Sequence, residues 1–393
     1  MIPDRFAPLR VLHVIESTTA GVRRYVTYLL QHRSPQLQME VACPIVRQAN
    51  YGDVAFVEEI RQLGVPIHDV PMQRAIGASD AVALRELWSV AQQGRYDLIH
   101  THSSKAGFLG RLTARLSGVP VVHTPNGLYY LGQRGLKRRF YRALEQLAGL
   151  LTTEMIAVSE GEREVIARDR LVKPDRLCVI ENGVDAQQIR QQADSPEGQG
   201  LRERLNLTGQ RPIIGAVGRM VPQKDPVTFV RAAARLKEVV PEAIFVWCGD
   251  GELRAETERL AAQLNVRLIV PGHQENSAAI MRAFDVFVLP SIYEGLPFAL
   301  LEAMALGVPV VATDIIGIRD VLGQPLAGWL TTPQNAEALA TMIAYAWLGP
   351  EEAQQRAHTA RQLVETRFSV EQMVQRHLAL YQQVAQNRTS RKP

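Results

Sequence analysis

The feature that most constrains this chain is an alternation. Short apolar, β-branched runs are separated by amphipathic stretches of helical period along nearly the whole sequence. In the first half the runs are VLHVI (11–15), MEVAC (39–43), VPIHDV (65–70), DLIHT (97–101), VPVVHT (119–124), EMIAVS (154–159) and RLCVI (176–180). In the second half they are PIIGAV (212–217), AIFVWC (243–248), VRLIV (266–270), DVFVLP (285–290) and VPVVAT (308–313), and the chain ends in helical patterns without strands. Apolar strands that alternate with helices make parallel sheets covered on both faces. A dozen strands is many for one sheet. The sequence therefore predicts an α/β protein of two doubly wound, Rossmann-like parallel-sheet domains facing each other across a cleft. The polar stretch 186–211 reads as the break between a first domain, 1–185, and a second, 186–368.

Composition narrows the function classes. With 46% hydrophobic and 21% charged residues the 393-residue chain is ordinary globular protein. Its 44 Lys and Arg and 40 Asp and Glu are mixed along the sequence, a net charge of +4. That argues against a nucleic-acid partner, which calls for a concentrated basic face, and suits an anionic small ligand or an anionic membrane surface. Cys43, Cys178 and Cys248 are far apart and lack metal-ligand spacing, so they read as reduced, buried thiols. The N-terminal apolar run is too short for a signal peptide, and no run is long enough to span a bilayer. A cytoplasmic protein is the expectation.

Open parallel sheets bind ligands at the carboxyl ends of their strands. After PIIGAV comes GRMVPQKDP, in which Gly218 permits a turn, Arg219 leaves the strand and Lys224 precedes a helix opening near Asp225-Pro226. Two cations beside a helix N-terminus suit a diphosphate, although a solvated basic loop would read the same way. After AIFVWC comes GDGELR, half of a dinucleotide fingerprint; the missing third glycine disfavours a nicotinamide enzyme. After DVFVLP, Glu294 lies in a loop, Pro297 starts a helix and Glu302 is embedded in ALLEAMAL. A carboxylate in so apolar a helix needs a partner, either a structural ion pair or the vicinal hydroxyls of a ribose. Together these signals suit a nucleotide sugar. No Asp-x-Asp occurs to hold a divalent metal, so the expectation is no cofactor and no metal, with Arg219, Lys224 and helix ends stabilising the leaving diphosphate.

GRMVPQKDP, CGDGELR and EGLPFALLE, with ENGVD (181–185) between the halves, resemble the retaining glycosyltransferases of family 4, which have the GT-B fold. In the first half AGVRRYV, DLIHTHSSKAG and IAVSEGE resemble the same family more loosely. The resemblance implies that Arg219, Lys224 and Glu294 act on the donor: the two cations hold the diphosphate, and Glu294, with the backbone of Gly295, Leu296, Pro297 and Phe298, meets the transferred sugar. It implies that Glu302 holds the ribose, that Gly218 and Gly21 lie near the phosphates, and that Gly272, His273 and Gln274 pass the base. It also implies that the last helix, 369–387, returns to the first domain. Asn126, in HTPNGLYY, stands where many relatives have a histidine, and His123 lies on the strand; Asn126 can hydrogen-bond but cannot titrate. Asp320 replaces a frequent glutamate. His102 and Lys105 join Asn126 as acceptor-side candidates; a structural histidine and a surface lysine are the alternatives.

Residues 134–151 place Leu136, Phe140, Leu144, Leu147 and Leu151 on one face and cluster Arg134, Lys137, Arg138, Arg139 and Arg142 at the start. This reads as an interfacial helix on an anionic membrane or as a core helix with a solvated basic face. The expected reaction is retaining transfer of a hexose from a nucleotide diphosphate sugar, UDP favoured over GDP, to a glycan acceptor, lipid-linked, in cell-surface polysaccharide synthesis. The competing readings are a nucleotide-sugar 2-epimerase of the same fold, a glycosyltransferase acting on small molecules, and a non-catalytic partner of a glycosyltransferase complex.

Overall fold

The computed structural model describes residues 8–45, 51–73, 77–209, 212–323 and 326–389. Contacts divide the chain into two units: Gly183–Ser369, and the residues on either side of it. The first unit has strands β1 (Leu9–Val14), β2 (Leu37–Cys43), β3 (Ile67–Asp69), β4 (Leu98–His102), β5 (Val121–Thr124), β6 (Glu154–Ala157) and β7 (Leu177–Val179). They form one parallel sheet in the order β3-β2-β1-β4-β5-β6-β7. The second unit has β8 (Ile213–Val217), β9 (Ile244–Cys248), β10 (Leu268–Gly272), β11 (Val286–Leu289), β12 (Val310–Thr313) and β13 (Trp329–Thr331), parallel in the order β10-β9-β8-β11-β12-β13.

The apolar runs became strands because both sheet faces are covered. Val11, Leu12 and Ile99 in one sheet, and Ile214, Val246 and Val288 in the other, are buried. In each sheet the strand order reverses once, between β1 and β4 and between β8 and β11. At such a switch point the following loops part and leave a crevice at the strand ends.

Two expectations need correction. The stretch 186–211, read as a break, is mostly two helices, Ala186–Asp194 and Pro196–Arg204, belonging to the second unit. Polar residues cap them: Asp185, just before the stretch, accepts the amide of Gln188 at 2.8 Å, and Ser195 within it that of Gly198 at 3.1 Å, with Pro196 opening the second helix. The second sheet also has a sixth strand, β13, too short at three residues to show a period.

The last helix, Val370–Thr389, is part of the first unit. Its Tyr381 hydroxyl meets His100 Nδ1 at 2.6 Å, and its His377 Nε2 meets the Tyr25 hydroxyl at 2.6 Å. The three cysteines are unbonded to one another, and burial pushes the Cys178 thiol up to about 11 and that of Cys248 up to about 12.

Candidate active site

The site in the second unit is built from the loops after β8 and β11, the two sides of its switch point. Backbone bonds dock the β8 loop onto the end of β9: Gly218 donates to Cys248 O at 3.0 Å and Met220 to Asp250 O at 2.8 Å. A Cβ on Gly249 would lie 2.1 Å from Gly218 O, and one on Gly251 2.4 Å from Met220 O. The Gly-x-Gly of CGDGELR therefore serves close approach between two loops and holds the segment that presents Arg219, which is exposed.

The chain then makes a 3-10 turn, Pro222–Lys224, and enters the helix Pro226–Leu236. Asp225, at φ 50°, caps that helix by accepting the Thr228 amide at 3.1 Å. Lys224 thus stands at a helix N-terminus, where dipole and ammonium act together on an anion.

The β11 loop is held against this turn. Ile292 N donates to Gln223 O at 2.8 Å, and Gln223 Nε2 donates to Tyr293 O at 3.0 Å and to Glu294 Oε2 at 3.3 Å. Lys224 Nζ reaches Glu294 Oε1 at 2.5 Å, with the side chains 15% and 9% exposed. Thr313 Oγ1 donates to Ser291 O at 2.6 Å. Gly317, at φ 81°, comes so close that a Cβ there would sit 1.6 Å from Gly295 O. Sequence reasoning passed over Gln223, Thr313 and Gly317. Gln223 could have been suspected from its place beside Lys224; the other two act through contacts no local pattern records.

The other residues of this unit that the resemblance assigns to the donor lie at the end of β10 and after β11. Pro297 precedes the helix Phe298–Ala305, in which Glu302 is 2% exposed. Leu296 and Phe298 are buried, so any contact they make with a ligand is through backbone. Gly272 closes β10 at φ 76°, and His273 after it is exposed. Asp320 is half-buried.

In the first unit Gly21 lies, exposed, in the first turn of the helix Ala20–Gln31 that follows β1. Asn126, half-buried after β5, has φ 54°. Lys105, in the first turn of the helix Ser104–Ser117, is ion-paired with Asp80 at 2.5 Å and is only 12% exposed, so it is not the surface lysine of the alternative reading. His102 corrects the acceptor-side expectation. Its ring is wholly buried, with His13 Nδ1 3.0 Å from its Nε2. Among the described residues, His13, His100 and His102 form the one group that brings three metal-ligating atoms within 4.8 Å. His100 spends both ring nitrogens on Tyr381 and Thr124, at 2.6 and 2.8 Å, so the cluster reads as a hydrogen-bonded network. Burial keeps these imidazoles neutral, pushing His13 down to about 3 and His377 to about 4.

The basic helix is Gly135–Gly149. Leu136, Phe140, Leu147 and Leu150 are 80%, 55%, 61% and 73% exposed, and Arg134, Lys137, Arg138, Arg139 and Arg142 are exposed as well. Leu144 and Leu151 are half-buried. The helix is anchored from its other side, where Glu145 meets the wholly buried Arg111 at 2.8 Å. The core-helix alternative does not describe it.

Two Rossmann-like units, with cations and carboxylates gathered at the switch point of the second, define a glycosyltransferase of the GT-B class. The family models agree: residues 199–363 match "Glycosyl transferases group 1" and residues 19–188 match "Glycosyltransferase Family 4". An Escherichia coli UDP-Gal:alpha-D-GlcNAc-diphosphoundecaprenol alpha-1,3-galactosyltransferase is 36% identical over 259 residues, 64% of this chain and 66% of its own length, just under two thirds. A D-inositol 3-phosphate glycosyltransferase of Salinispora arenicola is 33% identical over 84% of this chain and 80% of its own. Among solved structures, Anabaena Alr3699/HepE in complex with UDP and glucose superposes with a TM-score of 0.80 at 20% identity, over 95% of this chain and all of that one. A sucrose-phosphate synthase of Thermosynechococcus elongatus does so with a TM-score of 0.80 at 20% identity, over 96% of this chain and all of that one. The chain belongs to glycosyltransferase family 4.

Proposed function

We propose that this enzyme transfers a hexose, with retention, from a UDP-sugar to a lipid-linked glycan acceptor in cell-surface polysaccharide synthesis. The observation that carries the reading is the Lys224–Glu294 contact at the strand-end crevice, which joins a phosphate-type cation to a hydroxyl-type acceptor in one site. Arg219, Lys224 and the N-terminus of the helix Pro226–Leu236 take the negative charge that grows on the departing diphosphate, without a metal ion. Glu294 and the backbone of Gly295 to Phe298 receive the hexose hydroxyls, and Glu302 the ribose diol. Gly218 and Gly21 lie by the phosphates, and Gly272, His273 and Gln274 flank the base. Asn126 serves the acceptor side. The named activity of the galactosyltransferase relative, which uses UDP-Gal and a diphosphoundecaprenol-linked GlcNAc, supports the choice of donor and acceptor classes.

The helix Gly135–Gly149 supports a peripheral place on an anionic membrane surface, on the cytoplasmic face where such an acceptor would be met. Its apolar side chains are exposed beside a cluster of five basic ones. No helix among the described residues is long and apolar enough to cross a membrane.

The test incubates the protein with UDP-glucose, UDP-galactose, UDP-N-acetylglucosamine and GDP-mannose, with and without polyprenyl-diphosphate N-acetylglucosamine. Free nucleotide, epimerised sugar and glycosylated lipid are measured, and the new anomeric configuration is read by NMR. A UDP-sugar should be consumed, with an axial linkage retained and with activity surviving EDTA. Epimer without transfer would assign a 2-epimerase. Complete, Mg²⁺-reversible inhibition by EDTA would refute the metal-free account of the leaving group.

A further inference from the structure

Glu162 lies in the first turn of the helix Glu160–Arg168 and is 2% exposed. Ser159 caps this helix, its hydroxyl accepting the Glu162 amide at 3.1 Å. In a capping box the glutamate would reach back to the amide of the cap residue itself. Here it does something else. Oε2 accepts the amide of Val158 at 2.8 Å, and Oε1 accepts the amide of Gly127 at 2.9 Å, 35 residues away in sequence.

That second bond fixes an unusual stretch of backbone. Asn126 and Gly127 both have positive φ, 54° and 97°, in the loop that follows β5. Gly adopts left-handed backbone freely and Asn more readily than most residues with a Cβ, so neighbouring contacts decide whether this loop holds it. Asn126 holds its own carboxamide to Thr124 O at 3.3 Å, a marginal bond. The Gly127 amide bond to Glu162, at 2.9 Å, is the shorter restraint, and it becomes charge-assisted once the carboxyl, pushed up to about 7 by burial, is ionised.

A helix cap alone does not call for a buried carboxylate, because Ser159 already supplies one. Bridging two amides from different segments does. Each carboxylate oxygen accepts, whereas an amide side chain offers a single acceptor and would turn its NH₂ toward the other donor.

We propose that Glu162 is a positioning residue for glycosyl transfer: by joining the helix Glu160–Arg168 to Gly127, it sets the conformation in which Asn126 is presented. This rests on the reading of Asn126 as an acceptor-side residue.

A double-mutant cycle tests it, with Glu162→Gln, Asn126→Ala and the double variant assayed for transfer to polyprenyl-diphosphate N-acetylglucosamine and for UDP binding by calorimetry. Glu162→Gln should lower transfer about tenfold or more, as misplacement of a reacting group does. UDP affinity, read in the other unit, should stay within about twofold. On the Asn126→Ala background the Glu162→Gln loss should vanish, because the loop then presents nothing. Hydrogen exchange across 125–128 should speed up in Glu162→Gln while the strands stay protected. If Glu162→Gln does not fold, Glu162→Asp, one methylene shorter, takes its place in the same cycle.

Additive losses, or a matching loss of UDP affinity, would overturn the proposal and leave Glu162 a structural cap. Loss in Glu162→Gln with full activity in Asn126→Ala would overturn both the coupling and the acceptor-side reading of Asn126, while leaving the enzyme class untouched. Unaltered transfer in both single variants would overturn the proposal as well.

Discussion

Lys224 Nζ and Glu294 Oε1 lie 2.5 Å apart, although 70 residues separate them in sequence. The pair ties the turn after β8 to the loop after β11, at the strand ends of the second unit. Each neutralises the other, so the site carries both charges without the penalty of an isolated buried one.

Breaking this pair from one side should therefore do two things. Lys224→Ala should lower kcat as well as donor affinity, because charge grows on the diphosphate as it departs. It should also destabilise the fold by about 3 kcal/mol, the order seen when one partner of a buried pair is removed. Lys224→Ala combined with Glu294→Ala should regain much of the stability and none of the activity. Thermal melts and steady-state kinetics on the three variants check this; a double variant as unstable as Lys224→Ala would mean the pair is effectively solvated. Arg219→Ala, exposed, should lose kcat with little change in melting temperature.

Glu302→Gln should weaken UDP binding. Loss of a charge-assisted contact costs about 1.5–3 kcal/mol, roughly ten- to a hundredfold in affinity. Isothermal titration with UDP checks it, and wild-type affinity in a folded variant would remove Glu302 from the ribose.

Acid should loosen the first unit. His377 is buried and neutral, its value held down to about 4 by burial, against an ordinary value near 6.5. The unfolded chain therefore binds the proton first, and stability falls as the pH drops from about 6.5 toward 4. His13, pushed to about 3, and His100 and His102, both held well below the ordinary value by burial, act in the same direction. His377→Gln, which cannot titrate, should flatten the stability–pH curve in that window. An unchanged curve would show that His377 does not carry the acid sensitivity.

The chain should sediment with anionic vesicles and not with neutral ones. Each basic residue near the surface is worth about 1 kcal/mol, screened by salt. Replacing Lys137, Arg138, Arg139 and Arg142 with glutamine should abolish sedimentation at moderate ionic strength and reduce transfer to the lipid-linked acceptor. Donor hydrolysis by water should survive. Vesicle binding that persists in the quadruple variant would return the basic face to solvent, and loss of donor hydrolysis in a folded variant would assign it to catalysis instead.

What the sequence by itself determined is what local chemistry encodes. Runs such as PIIGAV and DVFVLP are apolar on both faces, as strands of covered parallel sheets are, so the two-sheet architecture and the place of Arg219, Lys224 and Glu294 after strand ends could be read directly. β13 escaped because three residues carry no period, and 186–211 misled because polar capping residues look like a linker until their helices are seen. Tertiary structure alone decided the rest. His102 is chemically apt for an acceptor site, yet it is buried because its strand faces the helices that carry Tyr25 and His377. The leucines of 134–151 would suit a core and lie exposed, because the other side of their helix, at Glu145, is the one that packs. Lys224 with Glu294, Gly317 with Gly295, and Glu162 with Gly127 are pairings across long stretches of chain. Periodicity and propensity act over a few neighbouring residues, whereas burial and pairing depend on which segments the folded sheets bring together.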